Sequence, residues 1–270
     1  MSEQADSRGS ALGRNRRIVG ATVLGVTRGL LRRREQFRYQ FVRETWTAAK
    51  RFAAEGIETI ELADIPALWP AVVTGYVDDP QRCLIAALAA ELRCEMFFEI
   101  GTSLGRTTWT VAHHNPGMQI FTLDMPLELA PAATAFTIGD DDRAYFRPAD
   151  ACGEAFRDTA EAAQITQLWG DSATFDYAPW AGTSDLVYVD GAHTYEYVAS
   201  DTRAALGLLK PSGTIIWDDY ATSPGVYEYL TANAQSFDGQ VYHLLGTRMA
   251  ILSGQSFVQR HAQHFPFTGQ

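Results

Sequence analysis

Cysteine is scarce: Cys83, Cys94 and Cys152 are the only three in 270 residues, odd in number and without a CxxC pair. This argues against a disulfide framework or a cysteine zinc site. A reducing cytoplasm is the simplest setting, with the thiols as small, core-packed side chains. Long apolar runs are missing as well, since none approaches the roughly 20 residues needed to cross a bilayer. The stretch 18–31 leans apolar, but it is short, interrupted by glycine and carries Arg28, and basic RGLLRRR follows where a signal peptide would be cleaved. A basic surplus is also absent. Lys+Arg 22 against Asp+Glu 32 leaves a net charge of −10, which argues against a general nucleic-acid binder. Finally, there is no GxGxxG. Gly101 and Gly105 stand four apart with no third glycine, which favours a cofactor without phosphates at that turn over a pyrophosphate.

Charge is unevenly spread. Residues 1–51 hold 12 Lys/Arg against 4 Asp/Glu, and the rest hold 10 against 28. Residues 1–15 are polar and Gly/Ser-rich and read as a disordered tail. Residues 16–93 read as a helical cap or extension. Its basic front is either a helix packed on the catalytic domain or a contact with an anionic membrane surface or a partner, a second copy of the chain included. Residues 94–255 read as the catalytic domain and 256–270 as a tail.

From Cys94 onward, short Val/Ile/Phe-rich runs alternate with helical stretches, the pattern of a doubly wound, mostly parallel α/β sheet of seven strands. Strands are expected near 96–100, 119–123, 165–169, 185–189, 213–217, 240–244 and 248–252, the last two as an antiparallel hairpin. Helices are expected near 80–93, 105–114, 150–163, 194–208 and 224–234. The connector 125–164 is long and holds the acidic run Asp140-Asp141-Asp142, which reads as a lid or as a solvated loop.

The polar residues fall where such strands end, the edge at which open α/β sheets bind ligands. Glu99-Ile-Gly101-Thr102-Ser103-Leu-Gly105 makes the first strand-to-helix turn, with Gly101 allowing a ligand close to the backbone and Gly105 allowing helix and strand to pack. Asp124 ends the second strand, where a carboxylate accepts both ribose hydroxyls or caps a helix. Asp171 and Ser172 end the third, within reach of an adenine or as a cap. Asp190 ends the fourth, and Asp218-Asp219 end the fifth. Three carboxylates at one edge retain protons or hold a cation, and hard oxygen donors at an open edge suit Mg²⁺; a turn at Asp190-Gly191 and a cap at the pair is the structural alternative. His193, three residues past Asp190, fits a general base.

Taken together, FEIGTSLGRTT, FTLD, GDS, DLVYVDGAHTYEYV and TIIWDDY resemble the S-adenosylmethionine-dependent methyltransferases of the Rossmann-like class. The likeness, over roughly residues 75–252, is greatest to the metal-dependent small-molecule O-methyltransferases of the catechol type and of the macrolide and aminocoumarin sugar type. It implies that Glu99 and Gly101 line the methionine portion of the cofactor, that Asp124 binds its ribose, and that Asp190, Asp218 and Asp219 hold Mg²⁺. His193, or Asp190, would then take the proton from a hydroxyl acceptor. Catechol-type members carry lysine where this chain has His193, and some sugar enzymes carry histidine, so a sugar or other vicinal diol is the expected acceptor. The same residues admit a metal-independent N- or O-methyltransferase, a nicotinamide-dependent oxidoreductase, or a non-catalytic partner protein.

Overall fold

A computed structural model describes residues 57–62, 80–129 and 134–264. In chain order the elements are β1 (Glu58–Leu62), α1 (Pro80–Glu91), β2 (Met96–Ile100), α2 (Arg106–His114), β3 (Gln119–Asp124), α3 (Asp140–Arg143), α4 (Glu154–Arg157) and β4 (Ile165–Trp169). They continue with β5 (Ser184–Val189), α5 (Tyr195–Leu208), β6 (Leu209–Trp217), α6 (Pro224–Asn233), β7 (Val241–Leu244), β8 (Ala250–Leu252), α7 (Gln255–His261) and β9 (Ala262–His264). Two compact units divide between Trp217 and Asp218, with β1 grouped with the later residues.

The first unit is built on five parallel strands in the order β4-β3-β2-β5-β6. Successive side chains of β2 alternate between the two faces of the sheet. Glu99 turns toward α2, where the Thr108 hydroxyl donates to it. Phe98 turns the other way, into a cluster of Phe121, Tyr177 and Trp180. Phe175 stacks on Trp180 and extends that cluster. Trp180 of a short 3₁₀ turn, Ala178–Trp180, with Phe175 and Tyr177 just before it, thus covers a face that a crossover helix covers in regular doubly wound units. This is the Rossmann-like α/β arrangement expected from the sequence.

In the second unit the order is β8-β7-β1-β9. β1 pairs parallel with β7 and antiparallel with β9, and β7 pairs antiparallel with β8. His243 in β7 is buried, with its Nδ1 3.2 Å from the Thr59 hydroxyl in β1 and its Nε2 3.1 Å from the Thr247 carbonyl.

Three expectations change. The helix expected over 150–163 is only α4 followed by a 3₁₀ turn, Ala160–Gln164, because Gly153 enters α4 at φ 72° and the chain turns extended at Thr159. β1 lies inside the stretch read as a helical cap, α7 begins one residue before the stretch read as a tail and runs into it, and β9 lies inside that tail. The carboxyl-terminal strands group with β1 instead of joining a single 94–255 domain. The readings for residues 1–56, the disordered tail and basic helix among them, lie outside the described residues. Among the described residues no helix is long and apolar enough to cross a membrane.

Candidate active site

The strand order makes β2 and β5 neighbours whose following chains leave in opposite directions, the switch point at which α/β sheets form a crevice. Ile100 is paired with Leu123 on one side and Val189 on the other, so the Gly101 turn and Asp190 leave the sheet side by side. The Gly101 amide donates to Leu123 O and the Asp190 amide to Ile100 O, each at 2.8 Å. Gly101 has φ +103°, and a Cβ there would sit 2.1 Å from the Asp190 carbonyl oxygen. Only a glycine fits, because the Asp190–Gly191 backbone fills the space a side chain would need.

Asp124 braces this turn. Its Oδ2 accepts the Ser103 amide at 2.6 Å and its Oδ1 accepts the Met125 amide at 2.7 Å. Burial pushes its acid up, against these amide donors. The Cys152 thiol also meets Oδ2, at 3.9 Å, while Oδ1 keeps acceptor capacity for a ribose hydroxyl. The Gly101 cradle and Asp124 therefore fit a nucleoside cofactor.

Glu99 and Thr102 support the turn from behind. Glu99 is 1 % exposed and its Oε2 accepts the Thr108 and Thr122 hydroxyls, while Thr102 is bonded to Thr122 and Gln167. Glu99, which the resemblance assigns to the cofactor's methionine portion, thus has its Oε2 taken by core hydroxyls. Gly105 also has another use than helix–strand packing, since a Cβ there would strike the Phe156 ring at 2.6 Å. Asp171 is spoken for as well. It accepts Ala135 N at 2.7 Å, Ala173 N at 3.0 Å and the Tyr197 hydroxyl at 3.1 Å, bonds that pin the connector. Ser172 lies against the buried Asp201, and its carbonyl accepts the Tyr177 hydroxyl.

His193 is held by a residue that sequence reasoning missed. Asp142 Oδ1 lies 2.6 Å from His193 Nδ1, and its Oδ2 accepts the His193 amide at 3.0 Å. Burial works to raise the Asp142 acid, but these bonds hold it below the usual carboxylate range, so it stays ionised. A carboxylate there makes Nδ1 the donor and leaves Nε2 as the basic atom, 4.0 Å from Asp190 Oδ1. The signal was present as a third acid in the Asp140-Asp141-Asp142 run, but 51 residues separate it from His193.

Asp218 and Asp219 open the second unit. Asp218 is 4 % exposed and accepts Arg248 Nη2 at 2.9 Å, Arg248 Nε at 3.3 Å and the Asp219 amide at 2.8 Å. Arg248 Nε also lies 3.0 Å from Asp219 Oδ1, to which the Thr222 hydroxyl donates. The Asp219 carbonyl accepts the Thr222 and Ser223 amides just ahead of α6. Arg248 was not foreseen, and it supplies the cation that this acidic pair called for.

Three buried groups make stability depend on pH. Burial pushes Glu99 up to about 7, against its Thr108 and Thr122 hydrogen bonds. Burial likewise pushes Asp201 up to about 7, opposed by Ser172 and reinforced by Asp171. Burial lowers His243 to about 4, against its bond to Thr247. The two acids, raised above their unfolded values of about 4, contribute stability that is full below those values and lost as pH rises through 7. His243, depressed below its unfolded value of about 6.5, contributes stability that is lost as pH falls from 6.5 toward 4. Asp201→Asn is therefore expected to raise stability at pH 8 relative to pH 5, by roughly 2–4 kcal/mol in urea unfolding. An unchanged pH profile would show that Asp201 is not a burdened acid.

Residues 98–220 match the profile of a family described as a methyltransferase domain. No curated protein matches the chain. Among solved structures, the O-methyltransferase TomG from Streptomyces achromogenes, involved in tomaymycin synthesis and in complex with S-adenosylmethionine, is 18% identical. That match covers 71% of this chain and 91% of TomG at a TM-score of 0.46. The S-adenosylhomocysteine-bound methyltransferase PaMTH1 from Podospora anserina is 14% identical, with 77% and 95% covered and a TM-score of 0.49. The stretch that runs from the glycine turn to the acidic pair is thus matched to the methyltransferase-domain family, where its motifs placed the resemblance.

Proposed function

We propose that the chain transfers a methyl group from S-adenosylmethionine to a hydroxyl oxygen of a small molecule, a sugar or other diol, with His193 as the general base. The Asp142–His193 pair carries this reading. It sits beside Asp190, at the same strand ends as the cofactor cradle, and leaves the buried Nε2 of the ring, 4.0 Å from Asp190 Oδ1, as the basic atom. The cofactor supplies an electrophilic methyl on sulfur, whose bond to carbon breaks as the acceptor oxygen bonds to that carbon, leaving S-adenosylhomocysteine. Gly101 lets the ends of β2 and β5 close up into the crevice that takes the cofactor, and Asp124 orients the ribose. His193 Nε2 takes the hydroxyl proton, and Asp142 and Asp190 flank the charge that then forms on the ring.

Magnesium on Asp190, Asp218 and Asp219 was the expected partner of this chemistry. Asp218 does not fit it as it stands, because a guanidinium already occupies both of its oxygens. No step of the proposed reaction runs through a metal. The alternative of a metal-independent methyltransferase gains from the same observation.

Calorimetric titration of the full chain with S-adenosylhomocysteine tests the reading without knowledge of the acceptor. Micromolar binding is expected. Absence of binding would remove the proposal and turn attention to a nicotinamide enzyme or a non-catalytic protein.

A further inference from the structure

We infer that Arg248 stands in for a divalent metal: its guanidinium neutralises the Asp218–Asp219 pair and keeps Asp218 from serving as a ligand.

The geometry is specific. Arg248 reaches Asp218 through two nitrogens, Nη2 on Oδ2 and Nε on Oδ1, while Nε also faces Asp219 Oδ1. A planar, permanently charged fork matches two carboxylates where a point charge cannot. The remaining acceptor capacity of Asp218 Oδ1 goes to the Asp219 amide, and that of Asp219 Oδ1 to the Thr222 hydroxyl. The arrangement is also braced by the backbone, since the Ala221 amide donates to the Arg248 carbonyl at 3.1 Å, which fixes the arginine's position against the pair. Mg²⁺ demands near-octahedral oxygen donors with free lone pairs. To bind at this pair, it would have to expel a guanidinium that is itself paired and held by its backbone.

The test is Mn²⁺ titration of the full chain followed by electron paramagnetic resonance, with wild type, Arg248→Gln and the double variant R248Q/D218N compared. Wild type is expected to take up no Mn²⁺ saturably in the micromolar range. R248Q is expected to gain one saturable site at least tenfold tighter, competed by Mg²⁺ and lost in R248Q/D218N. Saturable micromolar binding by wild type overturns the inference, and so does the lack of any gain in R248Q. Binding of S-adenosylhomocysteine reports on folding of each variant. If R248Q loses it, Arg248→Met, which keeps the aliphatic stem packed, replaces it under the same criteria. Should wild type bind no S-adenosylhomocysteine, the proposed reaction fails, while the Mn²⁺ results still decide the role of Arg248.

Discussion

Replacing His193 with alanine should lower turnover by about 10²–10⁴-fold, the usual worth of a positioned general base, and leave S-adenosylhomocysteine affinity within about twofold. The split follows from where the contacts lie. The cradle is formed by Gly101, Ser103 and Asp124, whereas His193 is tied to Asp142 and stands near Asp190. Asp142→Asn keeps the shape but removes the charge that fixes the ring with its proton on Nδ1. It should therefore cost about tenfold or more in kcat, with the KM for the methyl donor unchanged. Initial rates with an acceptor found by screening hydroxyl compounds measure both. If H193A retained full turnover, the base would have to be sought elsewhere; if D142N lost cofactor affinity and turnover together, Asp142 would be a general support of the fold.

Gly101→Ala should be the most damaging single substitution in the cradle. At φ +103° an alanine is strained before any contact is counted, and its Cβ would meet Asp190 O at 2.1 Å, Asp190 C at 2.6 Å and Gly191 N at 3.0 Å. All of these are backbone atoms, so no side chain can swing away. Relief requires β2 and β5 to part at their carboxyl ends, where the Asp190 amide is bonded to Ile100 O. A loss of about 3–5 kcal/mol in urea unfolding is expected, together with loss of measurable S-adenosylhomocysteine binding. A G101A protein that bound the ligand like wild type would show that the crevice lies elsewhere.

Much of the sheet was legible because β2, β3, β4, β5 and β6 are each a short apolar run closed by a turn residue, and the strand ends then placed Gly101, Asp124, Asp171 and Asp190 along one edge. What escaped depends on partners distant in sequence. Asp142 looks like one acid in a solvated run until His193 is folded against it, and Arg248 looks like a hairpin residue until Asp218 is set beside it. Nor does a sequence show which way an acid at a strand end will turn. Glu99 and Asp171 carry the polar character of ligand-binding groups, yet spend it on hydroxyls and amides of the protein itself. β1 was hidden for a further reason: ETIEL holds only two apolar residues, Ile60 and Leu62, after two polar ones, too few to establish a strand period.

The strand order carries a consequence for how the chain acquires its crevice. Phe97 is paired with Leu186, 89 residues further along, so the central pairing of the five-stranded sheet closes one of its longest loops. The entropy of that closure grows only slowly with length, by about 0.6 kcal/mol per doubling, but so non-local a pairing delays folding. The glycine turn and its Asp124 brace can assemble from neighbouring β2 and β3 alone, whereas the opposite wall waits for β5. During synthesis, then, the half of the crevice that recognises a nucleoside emerges first, and the half that bears the base arrives only after roughly sixty further residues have left the ribosome.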